Sequence, residues 1–211
     1  MVWTLAFLLS FASAATSAPS ADAALDKLQA SWDETKSYEA DFIQTVKSKN
    51  SGLEDESSHG TVKVEKPLRM RWEDKVSHTT QLLNGGEYWE ITENARRGSR
   101  QVTHSKDVSK SLAKSSLQVL AGNGKLKEFY KVKLARDTDR EALLELKPKA
   151  GGNETLIAKI DKNGYVLRTL TTESPDSKVV VEFKNIKRNL PFSQNAFQYE
   201  KKPNDVYSER E

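Results

Sequence analysis

Between residues 62 and 73 the chain alternates with a period of two. Val62, Val64, Leu68, Met70 and Trp72 share one parity, while Lys63, Glu65, Arg69, Arg71 and Glu73 occupy the other. Successive side chains of a strand point to opposite faces, so this stretch suits a sheet that is dry on one side and wet on the other. Pro67 interrupts the run and predicts an edge or a bulge, because proline cannot donate to a sheet ladder. Tyr38, Ala40, Phe42, Gln44 and Val46 alternate in the same way, and so do Tyr130-Val132-Leu134, Ala142-Leu144-Leu146, Leu156-Ala158-Ile160, Leu167-Thr169-Thr171 and Val179-Val181-Phe183. Turn signals fall between the runs: Asn84-Gly85-Gly86 before Tyr88-Trp89-Glu90-Ile91, then Gly151-Gly152-Asn153, Asn163-Gly164 and Ser174-Pro175-Asp176. Short strands so spaced predict a meandering antiparallel sheet.

Two stretches break the period. Asp22 can cap a helix that places Leu25, Leu28 and Trp32 on one face. Residues 107–121 carry Leu112, Leu117, Val119 and Leu120 at roughly helical spacing, ended by Gly122-Asn123-Gly124. The expected fold is mainly β with a few helices (α+β), the helices packed on the sheet. No repeat or linker divides it, so one domain over residues 15–211 is expected.

Residues Val2 to Ala12 form an apolar run of signal-peptide length, far short of the roughly 20 residues of a spanning helix. Ala12-Ser13-Ala14 then offers small residues for cleavage, so residues 1–14 read as a leader, with cuts as late as residue 23 possible. The mature protein is expected to be exported. The chain has no Cys, which excludes disulfide staples, thiolate metal sites and a Cys nucleophile. Three histidines without helical pairing give no metal site. A formal net charge of +3 with both signs interspersed is no nucleic-acid footprint. G-x-S-x-G, P-loop and G-x-G-x-x-G motifs are missing, so neither an enzyme nor a cofactor is expected.

A wide sheet with few helices leaves either a packed sandwich core or an apolar cavity. A family likeness bears on that choice. Ser37-Tyr38-Glu39-Ala40-Asp41-Phe42-Ile43-Gln44, Gly60-Thr61-Val62-Lys63-Val64-Glu65-Lys66-Pro67 with Met70-Arg71-Trp72, Asn84-Gly85-Gly86-Glu87-Tyr88-Trp89, and Asn189-Leu190-Pro191-Phe192 with Phe197, Tyr199 and Pro203 run in order along the mature chain. Together they resemble the periplasmic outer-membrane lipoprotein carrier (LolA) family. The resemblance implies an unclosed, strongly curved antiparallel β half-barrel with a helical lid over an apolar cavity. It also implies a monomeric periplasmic chaperone that makes and breaks no bonds. Such a carrier takes acylated lipoproteins from an inner-membrane ABC exporter complex, shields their acyl chains and delivers them to an outer-membrane receptor. A carrier or sensor of the same fold for another lipid, glycolipid or hydrophobic ligand is the alternative.

Val62, Val64, Met70, Trp72, Trp89 and Ile91 are the candidate acyl-binding residues, and the pattern serves ordinary core equally well. A family Trp stands where Trp72 does, and Met70 replaces a family Phe. Lys66 stands where the family has Arg, which in the resemblance holds lid carbonyls and keeps the unloaded carrier closed. Lys66 keeps the charge without the planar five-donor fork, so it is expected to be a weaker latch. Residues 107–121 are the candidate lid, with Leu112, Leu117 and Leu120 toward the cavity.

Overall fold

The first amphipathic segment folds as α1 (Ala21–Glu34), which buries Ala24, Leu25 and Leu28 and holds Asp22 within its first turn rather than at a cap. The computed structural model describes residues 21–50, 52, 54–106 and 125–210. After α1 the chain runs through β1 (Ser37–Ser48), β2 (Glu56–Glu65), β3 (Arg69–Asp74), β4 (Thr79–Asn84), β5 (Glu87–Asn94) and β6 (Ser99–Ser105). A single turn of helix, α2 (Leu126–Phe129), leads into β7 (Tyr130–Asp137), β8 (Glu141–Pro148), β9 (Thr155–Asp161), β10 (Val166–Glu173) and β11 (Ser177–Arg188). A short 3-10 turn (Gln194–Phe197) precedes the last strand, β12 (Asp205–Arg210). The predicted leader, residues 1–14, and the lid candidates Leu112, Leu117 and Leu120 lie outside the described residues.

The strands form one open, curved sheet in the order β12-β6-β5-β4-β3-β2-β1-β11-β10-β9-β8-β7. It consists of two hairpin meanders, β1 to β6 and β7 to β11, joined where β1 pairs with β11. All pairs are antiparallel except the last, since β12 lies parallel to β6. That departure from a pure meander arises because residues 189–204 cross one face of the sheet before β12 joins the far edge.

Directly paired residues share a face, so register sorts the side chains. One face carries Tyr38, Ala40, Phe42, Val62, Val64, Met70, Trp72, Leu144, Ala158, Leu170, Val181 and Phe183, and these form a single buried cluster with α1. This is the inner face. Gly60 faces Phe42 across the β1–β2 pair. A Cβ on Gly60 would lie 1.7 Å from the Glu73 carbonyl oxygen and 2.8 Å from the Phe42 ring. The missing side chain lets Phe42 lie flat on Trp72, with centroids 4.0 Å apart and planes 26° apart.

Pro67 neither edges nor bulges a strand. It sits in the turn that reverses the chain between β2 and β3, where Leu68 takes a positive φ of 55°. The alternation of residues 62–73 is therefore two strands folded back on each other, and Val64 faces Met70 while Val62 faces Trp72.

Candidate functional site

The inner face is the candidate site, and its order starts at the turn after β2. The turn sends Lys66 toward the C-terminal end of α1, where Lys66 Nζ donates to the Trp32 carbonyl oxygen and lies 4.7 Å from the Trp32 ring centroid. The last carbonyls of a helix lack intrahelical partners, and a cation is favoured there. Thr35 N–H also donates to the Trp32 carbonyl at 3.0 Å, and Thr35 Oγ1 donates to the Ser31 carbonyl at 2.8 Å. Partial burial lowers the Lys66 pKa, and Asp33 nearby opposes that shift.

Of the six acyl-binding candidates, the structure brings four together. Val62, Val64, Met70 and Trp72 are buried side by side on the inner face, in one cluster with Phe42, Leu83 and Phe183. Trp89 and Ile91 lie on the opposite, outer face and join Leu82 and Val102 in a separate cluster. The cause is register. The two-residue turn at Gly85-Gly86 pairs Leu82 with Trp89, and Leu82 in turn pairs with Arg71, whose parity is opposite to that of Met70 and Trp72. Tyr199 covers this outer cluster, stacked on Trp89 with centroids 6.2 Å apart, and His104 stacks on the same indole at 4.9 Å.

What holds the covering segment down is ionic. Arg100 meets Asp205 through two donors, Nε to Oδ1 and Nη2 to Oδ2, each at 2.7 Å. The Asp205 side chain is fully inaccessible. It also accepts from Tyr199 Oη at 2.6 Å and from Lys202 N–H at 2.8 Å. Arg100 therefore holds the Asp205 carboxyl far below the usual carboxylate range. In sequence, Arg100 reads only as part of a charged loop, Arg96-Arg97-Gly98-Ser99-Arg100, because its partner stands 105 residues away.

Beside the α1 end of the inner face lies a narrow recess with about 40 Å³ of free space. Leu28, Trp32, Tyr38, Leu126, Val166 and Leu167 form most of its wall. Tyr38 is only 3% exposed and packs edge-on against Trp32, with centroids 5.6 Å apart. Burial pushes the Tyr38 phenol pKa up. Among the described residues no group of three or more His, Asp or Glu is placed to hold a metal. No helix among them is long and apolar enough to cross a membrane.

Residues 33–200 match the family model described as outer membrane lipoprotein carrier protein LolA. Over 177 residues the chain is 26% identical to an outer-membrane lipoprotein carrier protein of Dechloromonas aromatica, covering 83% of each chain. A protein of the same name from Chromobacterium violaceum is 28% identical over 187 residues, covering 87% of each. The fold is similar to that of an uncharacterized conserved protein from Thermus thermophilus. That match has a TM-score of 0.56 and 10% identity, and covers 90% of this chain and 99% of the other.

Proposed function

This chain belongs to the LolA family of outer membrane lipoprotein carrier proteins, and we propose that it is a periplasmic chaperone for the acyl chains of lipoproteins. It takes them from the inner-membrane lipoprotein-releasing ABC transporter complex and hands them to an outer-membrane receptor. The observation that carries this reading is the match over residues 33–200, on a chain whose sheet has one continuous apolar face. Each CH₂ of an acyl chain costs about 0.8 kcal/mol in water, so a carrier must hide the chain yet hold it loosely enough to release it.

In this reading the acyl chains enter between the sheet and its helices. Val62, Val64, Met70 and Trp72 form the floor. A helical lid, with residues 107–121 as its sequence candidate, would part from the sheet to admit them. Lys66 is the latch, and its grip on the α1 end at Trp32 supports that role. Residues 1–14 direct export, and residues 15–211 act as one domain and as a monomer. The protein binds without chemistry and uses no cofactor.

The test uses mature protein lacking residues 1–14, added to spheroplasts that are making lipoproteins. Native mass spectrometry of the soluble fraction should show a one-to-one complex with an acylated lipoprotein. Recovery of the carrier with a free lipid or glycolipid instead would overturn the lipoprotein cargo, and recovery with nothing bound would overturn the acyl-carrier reading itself.

A further inference from the structure

The recess beside α1 is apolar except at a few points, and most of those points are already engaged. Thr35 Oγ1 donates to the Ser31 carbonyl. Ser31 Oγ donates to the Gly164 carbonyl at 2.7 Å and accepts from Arg188 Nη1 at 2.8 Å. Lys66, behind the Trp32 ring, is bonded to the Trp32 carbonyl. Two donors are left over. Tyr38 Oη and Trp32 Nε1 are both buried and have no hydrogen-bond partner among the described residues. Both rings line the recess. A buried polar group without a partner is costly and uncommon in folded proteins.

We propose that Tyr38 Oη and Trp32 Nε1 bind the carbonyl oxygen of an acyl ester and so set the depth at which an acylated ligand lies in the recess. The proposal rests on the acyl-carrier reading and goes beyond it in naming a polar contact for the ligand. A carbonyl oxygen has two lone pairs and accepts from an O–H or an N–H donor. A neutral ester fits these two donors, because both are uncharged and sit among apolar side chains, where an ionised group carries the larger desolvation cost. The leucine and valine side chains around the two donors take the hydrocarbon. Burial keeps the phenol protonated, and hence a donor, through the neutral and mildly alkaline range.

The test compares 1-palmitoylglycerol with 1-O-hexadecylglycerol, an ether of the same chain length that lacks the carbonyl. Each displaces a hydrophobic dye from the mature protein. The ester should bind about five- to tenfold more tightly, the usual worth of one or two hydrogen bonds. Tyr38→Phe and Trp32→Phe should each narrow the gap between ester and ether. Equal binding of ester and ether by the wild type, or an undiminished preference in Tyr38→Phe, overturns the carbonyl contact while acyl binding stands. If neither lipid displaces the dye, the acyl-carrier reading falls with it. Thermal unfolding provides a second check, since Tyr38→Phe removes a hydroxyl that has no partner and should not lower Tm. A lowered Tm would mean that the phenol is already bonded within the folded chain, which also overturns the proposal.

Discussion

Lys66 illustrates how one side chain serves stability and function together. Its ammonium completes the end of α1 and lies against the Trp32 ring. Lys66→Leu should cost about 1 kcal/mol, the net worth of one hydrogen bond, since the Trp32 carbonyl keeps its bond from Thr35 N–H. If Lys66 is the latch, the same variant should exchange a bound acyl ligand faster, and Lys66→Arg should slow that exchange. Stopped-flow release of a fluorescent acyl probe would measure both, and an unchanged rate in Lys66→Leu would remove the latch. Gly60 is constrained by space rather than charge. Gly60→Ala drives a methyl group into the Glu73 carbonyl and the Phe42 ring. A strand backbone cannot yield easily there, so a loss of about 2–3 kcal/mol is expected in denaturant unfolding, at the upper end for overpacked cores.

At the scale of elements, the outer strap from residue 189 to β12 depends on the Arg100–Asp205 pair. The Asp205 pKa is depressed in the folded chain, while an unfolded aspartate titrates near about 4. The folded state thus takes up the proton less readily than the unfolded state. The stabilisation is fully present above about pH 4 and drains away as the pH falls below it. Asp205→Asn should cost about 2–3 kcal/mol at pH 7 and flatten stability against pH in the acid range. Equal acid sensitivity in wild type and variant, followed by fluorescence of Trp89 beneath the strap, would show that the pair does not anchor it. The strands from β7 to β11 are legible as strands because alternating runs lie between turn signals. A bulge between Leu167 and Thr169 flips the parity of β10, however, so Leu170 rather than Thr169 or Thr171 joins the inner face. The strand β4 is not, because adjacent Leu82 and Leu83 are both buried, one on each face, and alternation disappears. Without β4 there is no register to follow from Trp72 to Trp89, and so the two tryptophans look like members of one set. The final strand is equally silent, since Val206 and Tyr207 are exposed and its anchoring residue Arg100 lies in another element.

For the whole molecule, the apolar face and its buried members follow from parity, while the covering of that face does not. Tyr38 reads in sequence as an ordinary strand residue, and only the approach of α1 makes it the wall of a recess beside Trp32. Long-range placement of this kind depends on contacts that no local pattern encodes. Binding to the folded chain alone raises its stability by mass action, by about 2.7 kcal/mol at a hundredfold excess over Kd. Tm should therefore climb steadily with the concentration of an acylated ligand, and calorimetry should find no such rise with an unacylated peptide of the same sequence.

The seam between β1 and β11 also governs when the chain can fold. Every other antiparallel pair joins neighbours in sequence and can zip up from its own turn, but Phe42 meets Phe183 only after some 140 residues of chain have been looped together. The two meanders can form early and locally, each still with an open edge where β1 or β11 lies. Closure must wait until β11 itself has been synthesised. Until then each meander presents an unpaired strand edge, so the seam that completes the sheet is also where a partly folded chain is open to strand addition.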